Sequence, residues 1–281
     1  MMMKITTLKT NAYKEAGLTR LLLVGLCGLL LMGAVVKVRA AEYGLVVQPI
    51  LTQDETRKAF QPLADYLSKA TGQQIKLQTA VNFLTYWETM KKGKYDLVID
   101  AAHFTDYRAS RMNYTVLAKI PDVVSYSLVV HEDAVVLDPD ELIGKTVATI
   151  GSPSLGAVRL EEMYPNPLRQ PVIMETNNST EAIERVINKK ADAAIVPTPL
   201  VGRYPSLVTV TTTTQVPHIA ISASNRVDQQ TQQKISDALV NASKTAEGQA
   251  MLEAINFPGF EKANAKTYTG YASLLEGVWG Y

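Results

Sequence analysis

Asp96-Leu97-Val98-Ile99-Asp100 is the stretch whose reading decides the fold. An apolar core between two carboxylates, it reads as a short buried strand. Working back from it, a helix from about Phe83 to Lys92 stops at Gly93, and Ile75-Lys76-Leu77-Gln78-Thr79 alternates like a strand with one buried face. Before that, Glu55, Lys58, Gln61, Asp65 and Lys69 fall on one side of a helix. Ala59, Phe60, Leu63, Tyr66 and Leu67 fall on the other, and Thr71-Gly72 ends it. Tyr43-Gly44-Leu45-Val46-Val47 reads as an opening strand that turns at Gln48-Pro49. The order β-α-β-α-β with short connections predicts a parallel sheet covered by helices.

Working forward, the pattern repeats. Ser125 to His131 is an apolar strand, and Asp138 to Leu142 is a short helical turn. Thr146–Ile150 is a strand, and Gly151-Ser152-Pro153-Ser154 leads into a helix ending near Pro165. Val172-Ile173-Met174 is a strand, Thr180 to Lys189 an amphipathic helix, and Asp192 to Val196 another buried strand. Thr211–Thr214 reads as a polar strand edge, and His218 to Ser222 returns as a strand. From Asp228 the chain reads as mostly helical, with a last helix over Ser273–Val278. Two such blocks predict an α/β protein of two lobes, each a mainly parallel sheet flanked by helices, with the ligand cleft between them. Lobe one is expected over 43–124 plus 226–281 and lobe two over 125–225, with crossings near 122–126 and 223–228.

The first forty residues bear on the compartment. Lys4, Lys9, Lys14 and Arg20 precede an apolar run from Leu21 to Val36, and Val38 and Ala40 satisfy the small-residue rule for cleavage. This reads as a signal peptide, residues 1–40, cut after Ala40, and places the rest in the periplasm. An uncut N-terminal anchor is the alternative reading; the core of about 16 residues is short of the roughly 20 that span a bilayer. Cys27, the only cysteine, follows bulky Leu26, which argues against a lipid-attachment site. Setting aside the six basic residues and one acidic residue of 1–40 leaves 22 basic and 26 acidic residues, a net charge of four negative. A mildly acidic chain without a basic stripe argues against nucleic acid as a partner. Without a thiol nucleophile, and with no histidine in a nucleophile–base motif, an enzyme on this fold is disfavoured, and no cofactor is called for.

Ser152-Pro153-Ser154-Leu155-Gly156 is the best local signal for a binding site. Ser152 suits an N-cap and Pro153 the first helical position. Free amides and two hydroxyls there would suit an anion, against the alternative of an ordinary capped helix. His103 follows the strand 96–100 at its cleft-facing end, against the alternative of a loop histidine bonded to nearby backbone. Asp100, His103 and Asp106 invite a metal reading, disfavoured because no second histidine lies at ligand spacing. Phe83, Tyr86 and Trp87 read as core, although the Tyr86 hydroxyl could face an anion. Ser125 lies near the first crossing, and Asn178 opens a second helix start with Ser179 and Thr180. Pro197-Thr198-Pro199 follows another strand end, and His218 reads as structural.

Four segments in order resemble those of the PhnD-like phosphate, phosphite and phosphonate substrate-binding proteins of ABC transporters. They are Phe60-Gln61-Pro62-Leu63-Ala64-Asp65-Tyr66-Leu67, Asp96 to His103, Glu141-Leu142-Ile143-Gly144-Lys145-Thr146-Val147-Ala148, and Glu247-Gly248-Gln249-Ala250-Met251-Leu252. The resemblance covers nearly all of 43–281 and implies the type II periplasmic binding fold. It further implies a small anionic ligand, an ABC permease as partner and a monomer. The ligand is then expected on Ser152, Ser154, Leu155 and Gly156, with His103, Tyr86, Ser125 and Asn178 contributing, and Ser154→Ala should weaken binding while sparing the fold. The run departs from the family's compact Ser-x-Ser-Gly by Leu155, which stands before the glycine. The fold and transport role therefore carry over further than the ligand, and a sensor feeding a membrane receptor kinase, or a different small ligand, stays open beside the importer.

Overall fold

A computed structural model of the chain describes residues 41–281 apart from Trp279; the expected signal peptide lies outside these residues. The first block runs β1 (Glu42–Val47), α1 (Gln53–Thr71), β2 (Gln74–Gln78), α2 (Phe83–Lys91), β3 (Leu97–Asp100), α3 (Ala102–Arg111) and β4 (Thr115–Lys119). After β5 (Val123–Val124) come β6 (Tyr126–His131), β7 (Thr146–Ile150), α4 (Leu155–Met163), β8 (Val172–Thr176) and α5 (Ser179–Ile187). Then follow β9 (Ala193–Pro197), α6 (Thr198–Val201), β10 (Leu207–Thr212) and β11 (Val216–Pro217). β12 (Ala220–Ala223), α7 (Gln229–Val240) and α8 (Ala246–Ala254) lead to the C-terminal segment.

The strands form two five-stranded sheets, in the orders β2-β1-β3-β12-β4 and β10-β6-β9-β7-β8. β1 pairs in parallel with β2 and β3, while β12 runs antiparallel to both its neighbours. The second sheet has the same plan: β7 is parallel to β8 and β9, and β6 is the antiparallel member. Each sheet thus receives its one antiparallel strand just after the chain arrives from the other sheet. The two crossings are tied together, because β5 and β11 pair as a two-stranded ribbon, Val124 with Val216 and Val123 with Pro217. The return crossing therefore lies before β12, not near 223–228. β12 is buried throughout and pairs between β3 and β4 in the first sheet.

Local chemistry explains the elements. α1 begins with a capping box in which Thr52 and Glu55 satisfy each other's amides, and ends at Gly72, whose φ of 71° suits a residue without Cβ. Pro62 removes one helical N–H inside α1, a change that costs about 3 kcal/mol in an isolated helix. Phe60, Leu63 and Leu67 offset it by packing into the core of the first sheet with Leu45, Ile99 and Leu239. The expected helix over 273–278 is replaced by a 3-10 turn over Tyr271–Leu275. Gly270 enters it at φ 95°, and the Asp106 carboxylate accepts the amides of Gly270 and Ala272.

The end of β3 carries a fully buried ion pair. Arg108 on α3 meets Asp100 at 2.8 Å, with both side chains completely excluded from solvent. The Tyr86 hydroxyl donates to the same carboxylate at 2.8 Å and accepts from Arg108 at 2.5 Å, and Thr105 donates to the second carboxylate oxygen at 3.1 Å. Burial pushes the Tyr86 phenol well above its ordinary range, so it stays a neutral donor. The Arg108 guanidinium also lies over the Tyr86 and Tyr114 rings, 5.3 and 5.4 Å from their centres. Breaking one partner of a buried pair leaves the other charge stranded. Asp100→Asn should therefore lower stability by about 3–5 kcal/mol in urea unfolding. A loss below about 1 kcal/mol would show that water or another group already compensates Arg108.

Candidate functional site

The carboxyl ends of β1, β3, β7 and β9 and the amino end of β12 meet around one cavity of about 370 Å³. Gln48 and Ile50 reach it after β1, Ala101 after β3, and Ile150 and Leu155 at the β7–α4 junction. Pro197, Pro199 and Leu200 follow β9, Asn178 to Thr180 open α5, and Val124 and Pro217 come from the ribbon. This is the crevice that strand order in an open α/β sheet makes available to a ligand. A depression of about 450 Å³ at the opposite end of the second sheet is lined by His131, Lys145 and Asp192, away from those strand ends.

The cavity is uncharged. Among its described lining residues none is Lys, Arg, Asp or Glu. Burial pushes the His218 imidazole below its ordinary value, with the nearby Lys119 charge acting in the same sense, so it is neutral at pH 7. Burial likewise pushes the Tyr126 phenol up to about 12. A second cavity of about 460 Å³ adjoins the first, sharing Leu51 and Ile150 with it, and is lined by Ser152, Asn82 and the carboxylate-bearing Glu175.

The residues singled out from the sequence are distributed unevenly. Leu155 and Asn178 line the main cavity. Ser154 and Gly156 border only a crevice of about 10 Å³ beside it. Ser152 is exposed and faces the second cavity, where Glu175 would repel an anion. The N-cap of α4 is Ser154, not Ser152, and helix geometry begins at Leu155 rather than Pro153. The Ser154 hydroxyl is committed on both sides: it accepts from the Ala157 amide at 3.2 Å and donates to the Ile150 carbonyl at 2.7 Å. Gly156 has no room to spare, since a Cβ there would stand 3.2 Å from the Tyr126 ring and from Thr149 Oγ1.

Tyr86 and His103 line none of these cavities. Tyr86 belongs to the buried Asp100–Arg108 network, and with Phe83 and Trp87 it packs in the core, as helical spacing predicts. His103 is fully buried, and its Nε2 donates to the Pro153 carbonyl at 3.0 Å. The proton therefore sits on Nε2, and Nδ1 is left as a buried acceptor without a partner. The histidine ties α3 of the first sheet to the turn before α4 of the second. Ser125 shares hydrogen with Thr198 at 2.9 Å, holding β6 to the start of α6. Asp100, His103 and Asp106 each serve different partners and do not converge.

Two lining residues escaped the sequence reading as ligand groups. Gln48 is 5% exposed, and its side-chain oxygen accepts the Ala101 amide at 3.1 Å. His218 lines the cavity while its Nδ1 accepts the Ile219 amide at 2.8 Å. The available signal was Gln48 itself, a polar residue placed between a buried strand and Pro49.

Residues 45–268 match the family model described as the periplasmic substrate-binding protein of a phosphonate ABC transporter. No curated protein matches the chain in sequence. Several solved structures share the fold. PhnD1 from Prochlorococcus marinus in complex with methylphosphonate superposes with a TM-score of 0.71 at 16% identity, covering 84% of this chain and 97% of that one. A binding-protein component of an ABC phosphonate transporter from Pseudomonas aeruginosa gives a TM-score of 0.70 at 15% identity, covering 84% and 85%. A Xanthomonas citri protein bound to ATP gives 0.68 at 14% identity, covering 85% and 97%.

Two outcomes follow from the geometry. Ser154→Ala removes the α4 cap and should cost about 1 kcal/mol of stability, measurable as a lower urea midpoint, instead of sparing the fold. His103, held near pKa 4 by burial, is uncharged in the folded protein while the unfolded chain protonates near 6.5. Its contribution is thus fully present above pH 6.5 and is lost as pH falls toward 4, by about 3 kcal/mol. Urea unfolding from pH 7.5 to 4.5 should show this slope, and His103→Gln should flatten it; equal slopes would exclude His103 as its source.

Proposed function

Because the chain belongs to the family of periplasmic substrate-binding proteins of phosphonate ABC transporters, we propose that it is the capturing component of an importer. It takes a phosphorus oxyanion into the cavity between the two sheets and delivers it to a membrane permease. The observation that carries this reading is the cavity itself: about 370 Å³ at the strand ends of both sheets, with neutral hydrogen-bonding groups and no carboxylate on its wall. Recognition by neutral donors suits an anion that must also be released, because nothing on the wall holds it as a fixed counter-charge. The methylphosphonate held by the Prochlorococcus marinus neighbour supports phosphonates as the class to test first.

On this reading the lobes follow the sheets. Lobe one comprises residues 41–122 with 218–281, and lobe two comprises 125–215. The β5–β11 ribbon is the hinge about which they close, and closure is favoured only by the ligand's higher affinity for the closed form. Residues 1–40 direct export and are removed, leaving the remainder in the periplasm. Of the residues chosen from sequence, Leu155 and Asn178 remain in the proposed site. Ser154, Gly156, Ser125, Tyr86 and His103 support the fold around it, and Ser152 lies outside it on the second cavity.

A thermal-shift panel tests the reading on residues 41–281, with phosphate, phosphite, methylphosphonate, 2-aminoethylphosphonate and sulfate. A ligand at about 100 times its Kd stabilises by roughly 2.7 kcal/mol. At about 2–4 °C per kcal/mol, a phosphorus oxyanion should raise Tm by roughly 5–11 °C. A folded protein whose Tm is unmoved by every phosphorus compound at millimolar concentration would remove this function.

A further inference from the structure

We propose that His103 is a proton-operated latch across the cleft: neutral, it holds the two lobes together, and protonated in mild acid it lets them part while each stays folded. This inference rests on the division into lobes given above and adds to it a trigger for opening.

The geometry comes first. His103 stands on α3 in lobe one, and the group that accepts its Nε2–H is the Pro153 carbonyl of lobe two, 3.0 Å away. The ring is fully buried, its centre 4.1 Å from that of Phe104, and its Nδ1 has no partner among the described residues. An imidazolium donates from both nitrogens, so a second proton would create a charged, buried N–H with no acceptor. The escape open to it is local. Leu155 and Val158, just beyond the Pro153 turn, are the residues through which α4 packs on Ala101 and Ala102 of lobe one. Lifting that contact brings the ring to water without breaking a strand pair within either sheet. A group that is neutral when enclosed and charged when wet couples opening to proton uptake.

The surrounding charges set the sign. On α3, the Asp106 carboxylate is held by the Gly270 and Ala272 amides, and Arg108 is paired with Asp100. On α4, Arg159 is paired with Glu162 at 2.6 Å, and its charge adds to burial in keeping a proton off the enclosed imidazole. Burial pushes the Glu161 carboxyl, bonded to Ser152 beside the turn, above its ordinary value, so uncovering it acts in the opposite sense at the acid end of the range. The C-terminal segment, which packs on α3, brings Tyr268, whose phenol burial keeps neutral. The enclosed ring is held near pKa 4, and hydration returns it to about 6.5. Opening is therefore favoured as pH falls below about 6.5, and the gain levels off near 4. For a ring that becomes fully hydrated, the open population should rise about 25-fold between about pH 7.5 and about pH 5.

Residues 41–281 contain no cysteine, so single introduced thiols can report opening. Val158→Cys lies at the contact between the lobes, Val186→Cys is buried inside lobe two, and Val81→Cys, at 69% exposed, is the open reference. The rate of reaction with 4,4′-dithiodipyridine, taken relative to Val81→Cys at each pH, should rise about 25-fold for Val158→Cys from about pH 7.5 to about pH 5. Val186→Cys should react far more slowly throughout, because only unfolding uncovers it. His103→Gln keeps a donor for the Pro153 carbonyl and cannot take up a proton, so the Val158→Cys profile should be flat in that background. His218, the other imidazole lowered by burial, is unchanged in both backgrounds, so the comparison separates the two. A flat profile with His103 in place, or the same rise in His103→Gln, overturns the latch and leaves the hinge and importer readings standing. If His103→Gln does not fold, the profile with His103 in place decides alone. Equal rates for Val158→Cys and Val186→Cys at every pH would show that the lobes part only on unfolding, and would overturn the hinge and the latch together.

Discussion

A carboxylate and a guanidinium without access to water, at the end of the central strand of the first sheet, govern the geometry of this protein. Asp100 terminates β3 and Arg108 lies on α3, so their pairing clamps the helix onto the strand end from which it springs. Everything on the floor of the cleft is referred to that clamp. Ala101 is the next residue, and its amide orients Gln48. His103 is the second residue of α3 and reaches across to Pro153. The pair contributes no binding group of its own; it fixes where the binding groups stand. A buried ion pair is weak evidence for stability as such, since an apolar replacement of similar shape is often as good. Its value here is positional.

The plan of the fold was legible because it rests on periodicity. The alternation in Ile75–Thr79, the helical stripe of Phe60, Leu63 and Leu67 and the apolar run at 97–99 each report burial directly, and burial decides element type. Phe83, Tyr86 and Trp87 were readable as core for the same reason. The candidate site was far less legible, because a sequence gives the order of polar groups and not what else competes for them. Ser152-Pro153-Ser154 offers two caps, and the choice of Ser154 depends on the Ile150 carbonyl being within reach of its hydroxyl. Tyr86 is spoken for by Arg108, twenty-two residues away. His103 does end at a strand terminus, as read, yet it is covered by the other sheet's turn. Gln48 carried no local mark at all; its role emerges only from a backbone amide fifty-three residues on.

Fixed charge is kept off the wall of the cleft. The ionised groups sit in the interior of the first sheet, at α3, and on the outer surface, in pairs such as Lys69 with Glu247 and Lys189 with Asp133. The cleft itself is lined by amides, hydroxyls, one imidazole and hydrocarbon. Selection there must rest on hydrogen-bond geometry and shape rather than long-range attraction, and should respond little to salt.

The contact between the sheets has a kinetic side. Leu155 and Val158 of α4 are 3% and 2% exposed because they sink among Ala101, Ala102 and Tyr268 of the first sheet side. A motion that widens the cleft by lifting α4 away uncovers both. At about 1.5–3 kcal/mol for each large apolar side chain, the opened form would be populated at roughly one per cent or less without ligand. If a ligand enters only with such an opening, its capture would be slow compared with diffusion, and the same burial would then lengthen its residence time.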